Sequence, residues 1–159
     1  MIRRIIGIDP GLASTGWGIV DYTKNRFIYI AHGCINTDKE LPRSERLLTI
    51  YSEINNVLDT YIPREAAMET LYFGKNVTSA ISVAEARGVL SLAMAERSLR
   101  ITECTPNQIK QAVVGVRKAE KEQIQEMVAL ILGLPVVPNP DHAADALGAA
   151  ICAANMFFS

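Results

Sequence analysis

Acidic side chains stand alone at the ends of two apolar segments and form a short group before a third. Asp9 follows a run of isoleucines, Glu69 follows Ala-Ala-Met, and Asp141, His142 and Asp145 open the last apolar segment. A buried unpaired carboxylate is costly, and clustered carboxylates repel one another unless cations neutralise them. Carboxylate oxygens suit Mg²⁺ or Mn²⁺, and imidazole also suits Mn²⁺. Two such ions about 4 Å apart can activate a water and stabilise the leaving oxygen of a phosphodiester.

Each of these side chains also has a purely structural interpretation. Asp9 suits an Asx-turn into a glycine-rich turn. Asp141 follows a proline before a helix, which favours helix capping, with metal contact as the second interpretation. Asp145 lies in a first helical turn, where the helix dipole favours acids. His142 suits a surface position, but its spacing of three from Asp145 lets both side chains point at one spot.

Hydrophobic periodicity and turn residues predict the elements that position these groups. The predicted strands span 3–8, 17–22, 27–33, 66–71 and 100–104, and the predicted helices span 43–62, 78–97, 106–113, 120–132 and a segment from about 141. The order β-β-β-α-β-α-β-α-α-α predicts an α/β fold around a mixed sheet that begins with an antiparallel meander. If the first and fourth strands are neighbours, Asp9 and Glu69 meet at one end of the sheet.

Bulk composition is that of an ordinary globular protein. The 159 residues are 49% hydrophobic and carry a net charge of −1, which argues against nucleic-acid binding by bulk charge but allows a local basic face. Three scattered cysteines favour a reducing compartment. No signal peptide is predicted, and the apolar stretch 146–158 is too short to span a bilayer. We therefore expect a cytoplasmic protein without a membrane partner.

Several segments resemble, in order, the RuvC family of Holliday junction resolvases. They are Ile6-Gly7-Ile8-Asp9-Pro10-Gly11-Leu12, Thr15-Gly16-Trp17-Gly18, Met68-Glu69 with Phe73-Gly74-Lys75-Asn76, Ala86-Arg87-Gly88, the run from Gln108 to Gly115, and His142-Ala143-Ala144-Asp145. The resemblance implies a ribonuclease H-like fold, with a mixed five-stranded sheet flanked by helices and one nuclease domain over 1–159. It also implies a homodimer that nicks four-way DNA junctions in pairs during recombination and repair.

The resemblance further implies roles for individual positions. The metal-site and catalytic positions fall on Asp9, Glu69, His142 and Asp145, with two Mg²⁺ expected per active site and Mn²⁺ able to substitute. DNA-contacting positions fall on Tyr72, Phe73, Lys75, Asn76, Lys110 and Lys121, with an aromatic wedge at Tyr72 or Phe73. A RuvA–RuvB branch-migration complex is the implied partner.

The residues themselves allow two interpretations of these contacts. An exposed aromatic pair beside a metal site can stack on unpaired bases, whereas Phe73 could instead pack in the core or in a dimer interface. Lys110, Arg117, Lys118 and Lys121 could form a local basic face. The alternative is a solvated helix face balanced by Glu120, Glu122 and Glu126, which applies most to Arg117 and Lys118.

The glycines predict close backbone approaches. Gly11, Gly16 and Gly18 suit tight turns and the approach of a phosphate, and Gly88 inside a helix suggests close packing. The apolar helix 78–97 is a candidate dimer interface. A glycine-rich turn after a strand acid also occurs in actin-like sugar kinases, but those enzymes need two such domains.

Two other functions compete with junction cleavage. One is a nuclease acting on RNA, similar to the YqgF family, which shares the Asp-Pro-Gly opening; Phe73 and the His-Ala-Ala-Asp ending argue against it. The other is a junction-binding module without catalysis, because a histidine at a position where a carboxylate is common could cripple the chemistry.

Overall fold

A computed structural model describes residues 1–71 and 76–156, which form a sheet covered by helices on both faces. The strands are β1 (Arg3–Asp9), β2 (Ser14–Thr23), β3 (Arg26–Asn36), β4 (Glu65–Glu69) and β5 (Arg100–Cys104). The helices are α1 (Arg43–Tyr61), α2 (Val77–Glu96), α3 (Pro106–Val113), α4 (Lys121–Leu132) and α5 (Asp141–Met156). The predicted order of elements is therefore confirmed.

The sheet has the order β3-β2-β1-β4-β5. β1, β2 and β3 pair antiparallel as the predicted meander, and β4 and β5 continue the sheet parallel to β1. β2 and β3 extend beyond their apolar residues, because backbone pairing continues to Ser14 and Asn36. The neighbouring positions of β1 and β4 confirm the condition under which the two strand-end acids meet.

Alternation along the central strands assigns each side chain to one of two cores. Ile6 and Ile8 of β1 pack with α1 and α2 on one face, while Ile5 lies in the core that contains α5. The same period of two puts Asp9 on the α5 face. In β4, Ala67 lies in the α5 core, so Glu69 points to that face as well.

Helix α5 lies so close to the sheet that strand residues opposite it lack side chains. A Cβ at Gly7 would lie 1.8 Å from the carbonyl oxygen of Ala146, and a Cβ at Gly16 would lie 2.0 Å from that of His142. α5 is apolar on nearly every side because it lies between the sheet and the pair α3 and α4.

This packing corrects the interpretation of two glycines. Gly16 and Gly18 lie inside β2 rather than in a turn, and their missing side chains make room for α5 rather than for a phosphate. Gly11 does lie in a tight turn, since a Cβ there would meet the carbonyl oxygen of Ser14 at 2.4 Å.

The close packing expected at Gly88 is wrong within the described chain. A Cβ at this position would have no described atom within 4 Å, so the α2 surface is open there.

By length and composition alone, α2 is the one helix of the described chain that could cross a membrane. One such helix is weak evidence, because core helices pass the same test.

We predict that Gly7→Ala lowers the free energy of unfolding by roughly 1–3 kcal/mol or more, because the added methyl meets backbone atoms that cannot rotate away. Ser52→Ala, on the exposed side of α1, is the control and should leave stability unchanged or raise it by up to about 0.5 kcal/mol. Urea denaturation measures both variants. Equal stability of Gly7→Ala and the native chain would contradict the close approach of α5.

Candidate active site

Three predicted metal ligands come together where β1 ends and α5 begins. Asp9, His142 and Asp145 each offer a ligand atom, and these atoms all lie within 4.8 Å of one another. The Nδ1 of His142 lies 2.7 Å from Oδ2 of Asp9, where an Nδ1–H donates a hydrogen bond to the carboxylate. The close contact between Gly16 and the backbone of His142 holds the first turn of α5 against the strands.

Glu69, the fourth predicted ligand, ends β4 next to these residues. The parallel register pairs Ile8 with Met68, so Glu69 follows in the position beside Asp9. Its carboxylate is not part of the group of three atoms within 4.8 Å. It lies on a cavity of about 550 Å³, here called the central cavity, which Asp9 also lines.

Burial raises the pKa of all three carboxyl groups, and charge repulsion raises it further for Glu69 and Asp145. Burial raises the pKa of Glu69, and repulsion from Asp9 and Asp145 raises it further, while Lys110 and Lys121 oppose the shift. Burial likewise raises the pKa of Asp145, with a further contribution from Asp9. The pKa of Asp9 is raised by burial, against the hydrogen bond and charge of His142. Two carboxylates and an imidazole at this spacing, with a third carboxylate beside them, fit a divalent cation.

Two lysines border the acids on one side. Lys110 and Lys121 line a cavity of about 290 Å³ with Glu69 and Asp145, here called the lysine-side cavity. The Nζ of Lys121 lies 3.4 Å from Asp141 and 3.5 Å from Asp145. Burial disfavours the Lys121 ammonium, but attraction by Asp145 and Asp141 outweighs it and raises the pKa. Asp141 is the first residue of α5, and its carboxylate pairs with this lysine.

Arg87 is a positioning residue that residue types alone did not single out. Its guanidinium, on α2, donates to the main-chain carbonyl of Glu69 and, at 2.6 Å, to the carboxylate of Glu103 on β5. These bonds tie the end of β4 to the neighbouring helix and strand. The only sequence signal for Arg87 was its place in the Ala-Arg-Gly segment of the family resemblance.

The other predicted DNA contacts are only partly described. Asn76 accepts a hydrogen bond from the backbone N–H of Ser79 at 3.2 Å, so it caps α2, and it also lines the central cavity. Tyr72, Phe73 and Lys75 lie outside the described residues. Arg117 lines a different cavity, beside α3 and the end of α5.

The mixed sheet carries acids at the ends of two neighbouring inner strands, and a helix brings further acids to the same place. This arrangement is that of a ribonuclease H-like nuclease fold. A family described as "Crossover junction endodeoxyribonuclease RuvC" matches residues 5–153. The chain belongs to the RuvC family, as the sequence resemblance predicted.

Individual relatives agree with this assignment. The crossover junction endodeoxyribonuclease RuvC of Treponema denticola is 55% identical over 152 residues, which cover 96% of this chain and 85% of the relative. RuvC of Thermotoga maritima is 49% identical over 94% of this chain and 89% of the relative. The solved structure of T. thermophilus RuvC in complex with Holliday junction substrate is 32% identical with a TM-score of 0.90, covering 97% of this chain and 93% of that one.

The yeast mitochondrial resolvase Ydc2 is similar in fold alone, at 14% identity and a TM-score of 0.66, over 94% of this chain and 78% of that one. Together with the RuvC structures, it confirms the predicted fold class.

We predict that Mn²⁺ raises the melting temperature of the protein at neutral pH by roughly 5–10 °C when present at about 100 times its dissociation constant. Because the carboxyl pKa values are raised in the folded protein, these groups contribute stability that is lost as pH rises through those values. A bound cation reverses that loss. Its effect should shrink in mildly acidic buffer, where protons compete for the same oxygens.

Differential scanning calorimetry with and without Mn²⁺ at the two pH values measures this effect. Asp145→Asn should abolish most of the Mn²⁺-dependent shift, while Asp59→Asn, an exposed acid on α1 paired with Arg97, should retain it. An equal shift in the two variants would show that Mn²⁺ acts elsewhere.

Proposed function

We propose that this chain resolves four-way DNA junctions by metal-dependent phosphodiester hydrolysis in DNA recombination and repair. The observation that carries the proposal is the group formed by Asp9, His142 and Asp145, with Glu69 beside it, in a chain of the RuvC family. Metal dependence is general to this family. The T. thermophilus relative was solved with a Holliday junction, which makes the four-way junction the first substrate to test.

Asp9, Glu69, His142 and Asp145 are the proposed metal ligands, with two Mg²⁺ per site and Mn²⁺ as a substitute. Bound divalent ions would supply a nucleophilic water at neutral pH and stabilise the charge on the leaving oxygen. Because the pKa values of these carboxyls are raised, the site has a higher affinity for protons than free carboxyls have when no cation neutralises it. Arg87 keeps the main chain of Glu69 in place, so that its carboxylate faces the central cavity.

Lys110 and Lys121 are proposed to contact the DNA. They border the acids through the lysine-side cavity, where an ammonium can approach a phosphate next to the one that is cut. Lys121 would have to exchange its contacts with Asp141 and Asp145 for the phosphate. Asn76 is also proposed to contact the DNA: its Oδ1 caps α2, and its Nδ2 amide group would donate to DNA in the central cavity.

We further propose that the protein acts as a homodimer through α2. Residues at positions 77, 81, 84, 88, 92 and 95 are all exposed and all apolar or glycine, and they follow a spacing of three and four along the helix. Val77, Ile81 and Leu92 are 67%, 48% and 55% exposed. Such a stripe is typical of a helix that packs against a partner. A second copy would cover it, and two sites related by a two-fold axis suit two symmetric nicks.

Other expectations stay predictions. They are a single nuclease domain over 1–159, a cytoplasmic location, partnership with RuvA–RuvB, and DNA contacts by Tyr72, Phe73 and Lys75.

Asp9→Asn should lower the rate of Mg²⁺-dependent junction nicking by more than about 100-fold. Mutating a residue that only hydrogen-bonds to a metal ligand already costs about 10–100-fold in metal affinity or activity, and loss of a ligand itself should cost more. Glu69→Gln should behave similarly. Asp59→Asn is the matched control and should nick like the native protein, because this exposed acid lies near the end of α1, which contacts the beginning of β1 rather than the Asp9 end. A nicking assay on a synthetic mobile junction, with Mg²⁺ or Mn²⁺, measures all four proteins.

The same assay separates the competing functions. Intact nicking by Asp9→Asn would exclude this site as the catalytic centre. Junction binding without nicking at any Mg²⁺ or Mn²⁺ concentration would indicate a binding module. Preferential cleavage of structured RNA would indicate the YqgF-like function.

Leu92→Glu should convert the dimer to a monomer at micromolar concentration, because a charge in the centre of an apolar interface is left without a partner. Leu130→Glu is the matched control, since Leu130 is a 72% exposed leucine on α4, outside the stripe. Light scattering measures the mass of both variants. If the native protein is only monomeric, the dimer proposal is wrong. The proposal that each site nicks one strand would still stand.

A further inference from the structure

Asp9, Glu69, His142 and Asp145 are here called the acidic centre. A cavity of about 410 Å³ lies beside it and is lined by residues of the β1–β2 turn, α1, α2 and α5. We call it the arginine-side cavity, and the side chains that matter there are Arg46, Ser79, Ser82 and His142. No acidic residue is among the described residues that line it. Its walls are therefore basic or neutral, in contrast to the centre next to it.

Arg46 is held in a defined position at this cavity. Its Nε donates to Oγ1 of Thr37 at 2.8 Å, and the same Thr37 hydroxyl donates to the carbonyl oxygen of Leu12 at 2.6 Å. The arginine on α1 is thereby tied to the turn that follows Asp9. Within residues 1–71 and 76–156, neither Nη group of Arg46 has a protein acceptor. A guanidinium held at Nε with both Nη groups available is suited to bind a phosphate through two hydrogen bonds.

The arginine-side cavity adjoins the central cavity. It shares Pro10, Ser79 and Val83 with the central cavity, which Asp9 and Glu69 line. The central cavity in turn shares Glu69 with the lysine-side cavity. Cations thus lie on both sides of the acids, with Lys110 and Lys121 on one side and Arg46 on the other.

We propose that the arginine-side cavity is a phosphodiester subsite in which Arg46 binds a phosphate of the DNA strand that is cut at the acidic centre. The proposal rests on the proposed function, since it assumes that a DNA strand occupies the centre. A strand that crosses the centre continues on both sides of it, and the lysines serve only one side. The amino-terminal turns of α2, with Ser79 and Ser82, add the positive end of a helix dipole to the same subsite.

The test is the salt dependence of junction binding, measured by fluorescence anisotropy in the presence of a chelator so that no strand is cut. Arg46→Ala should weaken binding by about tenfold and reduce the slope of log affinity against log salt by about 1, the loss of one phosphate contact. Arg46→Lys should restore most of the slope. A merely structural role for Arg46 would change stability without changing the slope.

Two variants serve as controls. Arg26→Ala removes an exposed arginine that begins β3, at the end of the sheet opposite Asp9, and should keep the native slope. Thr37→Val removes the hydroxyl that holds Arg46 and should weaken binding less than Arg46→Ala does.

If the native protein cuts the junction and Arg46→Ala keeps the native slope, the subsite is wrong while the proposed function stands. If the native protein neither binds nor cuts the junction, both the subsite proposal and the proposed function are wrong.

Discussion

The close approach of α5 to β1 and β2 is the constraint on which the site depends. Backbone atoms of α5 lie where side chains at Gly7 and Gly16 would otherwise be, so the helix meets the strands without intervening side chains. This contact lies directly next to the functional groups, because His142 itself packs on Gly16. A shift of the helix by the thickness of one methyl group would separate His142 and Asp145 from Asp9. Stability and function therefore depend on the same glycines.

The acidic centre is stabilised by its neighbours only in part. Three carboxyls with raised pKa values lie next to one another, and Lys110 and Lys121 border them on one side. Such a site is costly in the folded protein unless a cation occupies it. Arg87 and Gly16 act on the main chain at Glu69 and His142, which shows how the fold keeps repelling side chains together.

Much of the fold was predictable because the sheet and its helices follow local hydrophobic periods. The meeting of Asp9 and Glu69 was also predictable, since each acid ends an apolar strand and the two strands were expected to be neighbours. Their role as metal ligands, with His142 and Asp145, stays a proposal. The role of Gly16 was not, because a glycine inside a strand can serve a bulge, a bend or a close helix, and only tertiary packing distinguishes them. Arg46 and Arg87 were missed for a related reason: their partners, Thr37 and Glu103, are fixed by packing between elements.

A net charge of −1 gave no sign of DNA binding, yet charge is arranged unevenly around the centre. Acids occupy the ends of β1 and β4 and the start of α5, whereas Lys110, Lys121 and Arg46 lie in the cavities on either side. Bulk charge sets long-range attraction, but phosphate contacts act within a few ångströms. An acidic centre repels a phosphate until cations neutralise it. Under the proposed function, the flanking cations would hold the strand while the acids hold the metal. Binding and chemistry would then depend on different residues, which mutation would separate.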